Sequence, residues 1–156
     1  MASTTFLKLD GIDGEATDRT HLGEIEVVLS WGWGFNGQTV SSGSGGTSIG
    51  KVTPREFQFV HRYDKASPAL AREAIAGRHV ANAVLSARKS GAGQKDFLKV
   101  TMNDVLITSI ADGDDGSGPT EDVSMVCAEM AVSYQPPPPG SAQVGYNWNI
   151  AAGKVT

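Results

Sequence analysis

What the chain has least of is cysteine. Among 156 residues Cys127 stands alone, which excludes an internal disulfide framework and any metal site built on clustered cysteines. No apolar run approaches the ~20 residues of a membrane-spanning helix, so membrane insertion is not expected. The opening Met1-Ala2-Ser3-Thr4-Thr5 lacks a basic stretch followed by an apolar one, so no cleaved Sec-type leader is expected and synthesis is assigned to a reducing cytosol. Basic residues are scarce as well. With 13 Lys and Arg against 17 Asp and Glu the formal charge is −4, and the pI is near 5.3. A nucleic-acid partner would need a basic stripe, and there is none.

Glycine, by contrast, is abundant. The 19 glycines amount to about 12% of the chain against a typical ~7%, which favours many turns, hence many strands, over a helical bundle. Hydrophobic residues make up 40% and charged residues 19%, too apolar a balance for disorder throughout. At this length roughly 68–70% of the unfolded chain's surface can be buried, consistent with one domain over residues 1–156.

Period-2 alternation dominates the pattern. From 24 to 35 the odd positions are Ile25, Val27, Leu29, Trp31, Trp33 and Phe35, and the even ones are Glu24, Glu26, Val28, Ser30, Gly32 and Gly34. That predicts one continuous strand with its odd face in a core and its even face toward solvent or a cavity. Phe57, Phe59, His61 and Tyr63 alternate with Gln58, Val60 and Arg62, and Tyr146, Trp148 and Ile150 alternate with Asn147 and Asn149. Further strands are expected at 6–9, 80–89, 97–110 and 123–134. The 97–110 stretch changes phase at Asn103-Asp104, where Leu98, Val100 and Met102 give way to Val105 and Ile107; a bulge or bend is expected there. Its second half is apolar on both phases, so it should be buried on both faces, within the domain or against another subunit.

One helix is expected from Ser67 as N-cap, with Pro68 in the first position, a stripe of Leu70, Ala71, Ala74 and Ile75, and Gly77 as the stop. Being about ten residues long, it must dock on a sheet or close a barrel end. Three segments read as loops: a flexible Gly/Ser/Thr stretch at 37–50, too long for a tight hairpin, an acidic Gly-rich one at 112–122, and a stiff proline spacer at 136–139 that lets the last strand swing away from the one before.

No motif points to catalysis. Gly45-Gly46-Thr47-Ser48-Ile49-Gly50-Lys51 spells seven positions of a P-loop, but Val52 stands where a Mg²⁺-binding hydroxyl belongs and no helix follows. His21, His61 and His79 lack ligand spacing. Asp112-Gly113-Asp114-Asp115-Gly116 starts like a calcium loop, but Gly116 and Val123 stand where oxygen ligands are required. Asp10, Asp13, Glu15 and Asp18 form a similar acidic turn. Cys127 lies within a predicted strand and reads as an inert thiol. No catalytic residue, metal or cofactor is expected.

The opening Phe6-Leu7-Lys8-Leu9-Asp10-Gly11-Ile12-Asp13-Gly14-Glu15, with His21 and Glu24-Ile25-Glu26-Val27, resembles the start of Hcp, the tube protein of bacterial type VI secretion systems. So do Asp64-Lys65-Ala66-Ser67-Pro68, Gly77-Arg78-His79, Ala87-Arg88-Lys89-Ser90-Gly91, Phe97-Leu98-Lys99-Val100, Asp104-Val105-Leu106 and Gly145-Tyr146-Asn147-Trp148-Asn149-Ile150. The blocks fall in family order across nearly the whole chain. The resemblance implies a mainly β fold, two antiparallel sheets closed into a β-barrel with one short flanking α-helix, and a hexameric ring. Rings would stack into a hollow tube that a contractile sheath, working from a baseplate, drives out behind a spike protein, with effectors in the channel. The protein would be cytoplasmic until assembly and then secreted. By the same resemblance Gly32, between Trp31 and Trp33, would line the channel, joined by Ser30 and Gly34 on the same even face of the strand, and the 37–50 loop, with Gly37, Ser42, Gly45 and Gly50, would lie at the ring-to-ring face. Leu106 and Ile107, from the doubly apolar strand, would form the subunit interface. Two rivals remain from the residues alone: a monomeric small-ligand barrel with the Trp31/Trp33 face lining a pocket, and a hydrolase using an unrecognised Ser or Asp constellation.

Overall fold

The computed structural model describes residues 3–41, 43, 45–89 and 95–156. Ser42 of the expected stacking loop lies outside them. Along the chain come β1 (Ser3–Leu9), β2 (Ile25–Val27), β3 (Ser30–Gly32), β4 (Phe35–Ser41), β5 (Thr47–Pro54), β6 (Phe57–Arg62) and α1 (Ala66–Ala76). Then follow β7 (Val80–Lys89), β8 (Asp96–Asp114), β9 (Pro119–Tyr134), β10 (Val144–Asn149) and β11 (Lys154–Val155).

All but β4 and β5 belong to one antiparallel sheet, ordered β11-β10-β9-β8-β7-β1-β2, and among the described residues β4 and β5 pair only with each other. Strand β9 is long enough to serve two partners on one edge. Its first half pairs with β6, from Arg62 opposite Thr120 to Phe57 opposite Met125, and its second half pairs with β10. Strand β3 then adds to β6.

The expected closed barrel is not formed. The ladder ends at β2 on one side and at β3 on the other, and the chain passes between them through Val28 and Leu29, which belong to neither strand. This break also corrects the single strand expected over 24–35. Ile25 and Val27 are buried as the alternation demands, but Leu29, Trp31 and Phe35 are 43%, 36% and 53% exposed. Alternation assigns side chains to faces only while the backbone stays extended, and an interruption resets it.

The core is where the other alternating segments meet. Leu7, Leu9, Phe57, Phe59, Leu70, Leu85, Met102 and Met125 are all at most 2% exposed, each contributing about 1.5–3 kcal/mol of burial. In β8 the phase change falls at Asp104, whose φ of 56° is left-handed, a conformation that Asp tolerates better than most residues. Val100 and Met102 are inward before it, and Val105 and Ile107 after it. A bulge follows between Ile107 and Ser109 against β9. Ile107 is therefore a correction: at 4% exposure it is packed in the core of its own chain and has no surface to give a neighbour. Leu106 points the other way and is half-buried.

The helix starts two residues earlier than expected. Lys65 is its N-cap and caps nothing with its side chain; instead Asp64 Oδ1 accepts from the Ala66 N–H, and Ser67 Oγ accepts from the Asp64 N–H. Ser67, buried in the first turn, thus braces the approach to the helix. Gly77 ends it at φ 66°, as a left-handed C-cap requires. The buried side is Ala66, Ser67 and Leu70, while Ile75 is 88% exposed.

The three expected loops are shorter or differently placed. Most of 37–50 is the β4–β5 hairpin, whose small residues permit close cross-strand contact: Ile49 Cγ2 would be only 2.9 Å from a Cβ at Gly37. The acidic 112–122 segment continues β8 to Asp114 and β9 from Pro119. The proline spacer does not release the last strand. It turns the chain back, and β10 pairs directly with β9, Val144 opposite Tyr134.

Candidate assembly surfaces

The strip of small residues lies on β3 and just beyond it. Ser30 and Gly32 are exposed, and a Cβ built on Gly32 meets nothing within 4 Å. Gly34 is half-buried, with Arg55 3.7 Å from its would-be Cβ. Trp31 stacks on Phe57 with centroids 5.9 Å apart, and Trp33 meets Trp148 edge-on at 6.1 Å. The two tryptophans thus lean inward and Gly32 faces out. Register extends the strip across the sheet: Gly32 is opposite Gln58, and Gln58 is opposite Ser124. Ser30 continues likewise through Val60 to Asp122. Gln58 Nε2 donates to both Asp122 carboxylate oxygens at 2.8 and 2.9 Å. Gln58, Ser124 and Asp122 were not among the expected site residues; the outward phase of the 57–63 alternation was the signal that could have found Gln58.

Further along β8 and β9, Leu106 is opposite Val126, which is 40% exposed. This outward pair is the apolar surface that remains of the expected interface once Ile107 is assigned to the core.

The hairpin that carries Gly37, Gly45 and Gly50 exposes nearly every residue, among them Val40 at 50% and Ile49 at 69%. Between it and the β10–β11 hairpin lies an open groove of about 530 Å³, lined by Phe35, Val52, Tyr146, Trp148, Ile150 and Val155 with Lys51 at its side. It is not the internal pocket behind Trp31 and Trp33 that a ligand barrel would use.

The buried polar groups around the 10–24 connection are mutually satisfied scaffolding. His21 stacks on Phe6 at 4.5 Å, with Nδ1 2.9 Å from Glu24 and Nε2 3.0 Å from Asp96. Arg88 donates from Nη1 to Asp18 and from Nε to Asp96. Together they tie the 10–24 connection to the sheet. His79 pairs with Asp104 at the surface, so the three histidines remain apart. Among the described residues no group of three His, Cys, Asp or Glu is placed to hold a metal, and no helix is long and apolar enough to cross a membrane. Burial pushes the half-buried Cys127 thiol up to about 11, which disfavours the reactive thiolate.

The comparisons with known proteins agree with one another. A family model described as "Type VI secretion system effector, Hcp" matches residues 6–134. Protein hcp1 of Pseudomonas aeruginosa is 35% identical over 157 residues, covering 96% of each chain. Among solved structures, Hcp1 from Salmonella typhimurium is 30% identical with a TM-score of 0.81 over 100% of both chains. A further one, a type six secretion system protein, reaches 0.91 at 25% identity over 99% of this chain and 100% of that one.

Proposed function

The chain belongs to the Hcp family of the type VI secretion system, and on that premise we propose that it is a non-enzymatic tube subunit. Six copies close into a ring, and rings stack into a hollow tube. A sheath and baseplate drive that tube out behind a spike, with effectors in its channel. The protein starts in the cytosol and leaves with the tube. The observation that supports this reading best is apolar surface that one chain leaves uncovered. Phe35, Val40 and Ile49 are each at least half exposed, and Val126 stands beside Leu106 on the outer face. Such surface marks contact with another protein.

In this reading Leu106 and Val126 meet a neighbour within the ring, the β4–β5 hairpin meets the next ring, and Ser30, Gly32 and Gly34 face the channel. Each ring carries −24 formal charges, six times −4. Facing rings then repel over about 8 Å at physiological salt, so separate rings prevail at low salt and stacks at high salt or high concentration. Light scattering after size exclusion tests the ring: six copies of 16.3 kDa give about 98 kDa. A mass near one subunit would exclude it. Shortening the hairpin between Ser41 and Thr47 is expected to leave that mass unchanged and abolish secretion; normal secretion would remove the hairpin from the stacking face.

A further inference from the structure

Three titratable side chains form a row across the sheet beside α1. Glu121 on β9 is opposed by His61 on β6 at one side and by Asp112 on β8 at the other, so all three share one face. His61 and Glu121 are 0% and 1% exposed, whereas Asp112 is exposed. The row therefore leads from solvent to an enclosed imidazole. His61 Nε2 lies 2.9 Å from Glu121 Oε1, and Nδ1 lies 3.9 Å from Asp64 Oδ1, beyond hydrogen-bonding range. His61 Nδ1 and Glu121 Oε2 are both buried without a hydrogen-bond partner.

An orphaned carboxylate oxygen in a dry environment is costly. Asp112 is the neighbour placed to relieve it, but two ionised carboxylates have no hydrogen to put between them. One added proton supplies it. We propose that Asp112 and Glu121 share a single proton across the β8–β9 ladder, and that its uptake and release make the packing of this end of the sheet against α1 sensitive to pH.

The surrounding electrostatics agree. Hydrogen bonding to Glu121 is the first cause holding the Asp112 carboxyl above its ordinary range, followed by burial and the repulsion of the Glu121 charge. Burial alone would raise Glu121, but the hydrogen bond with His61, the nearby Asp112 and Ser67 and the attraction of His61 outweigh it, so its pKa is lowered. Two facing carboxyls driven apart in this way titrate as a pair holding one proton. Two more acids stand nearby. Asp64, before α1, is raised mainly by burial, with Glu15 and Glu121 adding repulsion; Glu15 accepts from the Lys65 N–H at the helix start. Ser67 is the polar group that α1 itself contributes.

The raised Asp112 favours its neutral form in the folded chain, so its stabilisation is present at low pH. It is lost as pH rises from the ordinary 3.8 through the raised value. Glu121 acts oppositely, stabilising above its ordinary 4.5 and losing that contribution as pH falls through the lowered value. Asp64 moves with Asp112 and persists when Asp112 is replaced, so the informative quantity is the difference between two proteins. Thermal unfolding of the full chain and of Asp112→Asn is measured against pH. The amide donates to Glu121 without a proton to lose, so the variant should gain about 3 °C or more in Tm over the parent as pH rises above Asp112's titration. Parallel profiles would overturn the proposal. Carboxyl ¹³C NMR titration of the parent is the independent measurement, free of any folding defect in the variant. Asp112 should titrate above the ordinary aspartate range, and titration at or below it would also overturn the proposal.

Discussion

The body of the sheet and the β4–β5 hairpin are built from the same kinds of residue and end in opposite circumstances. In the body, Phe57, Phe59, Leu85 and Met125 vanish from solvent, and even Arg88 and Glu121 are buried with partners. In the hairpin, Val40 and Ile49 cover only each other's glycines and remain at least half exposed. The difference is a second layer. Body strands have α1 and the facing part of the sheet to pack against, whereas among the described residues the hairpin's strands pair only with each other. A lone two-stranded hairpin is marginal in water. The body is thus specified by its own chain, and in the proposed assembly the hairpin would gain its full stability from a neighbour.

The largest effect should come from Ile107→Glu, which puts an unpaired charge into the core and costs several kcal/mol. The expected product is insoluble or unfolded protein, scored by circular dichroism. Leu106→Glu, one residue away on the outer face, should stay folded and lose the ring, read as a fall in mass by light scattering. Intact rings from Leu106→Glu would move the interface elsewhere.

Next in size is Phe59→Ala, which removes a fully buried ring from the centre of the sheet and should cost about 3–5 kcal/mol in denaturant unfolding. A loss below about 1 kcal/mol would mean the core collapses around the gap far better than such sites usually do.

Ile49→Lys tests the other side of the contrast. On an exposed strand it should shift the stability of the single chain by no more than about 0.5 kcal/mol. High-salt stacking, followed by sedimentation, should nevertheless be sharply reduced. Should stacking be unchanged, the hairpin's apolar face is not the contact.

The smallest effect on folding is expected for Gly32→Arg, since a side chain there meets open space. Ring mass should be unchanged while co-purification of an effector falls, because six guanidinium groups would crowd one level of the channel. Full effector recovery on intact rings would remove the strip from the cargo surface.

Much of this was legible in the residues. The β-rich character, the buried Phe57-Phe59-His61 phase, the helix stop at Gly77 and the phase change at Asp104 all depend on local backbone chemistry and period-2 geometry, and the chain carries these openly. The family blocks were legible for the same reason, as short runs in order. The candidate strip was half legible. Gly32 could be placed on an outward face, but its cross-strand neighbours Gln58 and Ser124 could not, because register between distant strands leaves no local trace.

By itself, then, the sequence determined the type of element at most positions, the family, and the one site where β8 reverses its faces. Tertiary structure decided which apolar residues find a partner within the chain. It buried Ile107 and left Leu106 half outside, it interrupted the strand at Val28 and Leu29 so that no ladder closes the barrel, and it returned β10 directly onto β9. It also assembled His61, Glu121 and Asp112 from three strands into one row. The physical reason is that burial and pairing are properties of opposed surfaces, and a surface's opposite number lies tens of residues away along the chain.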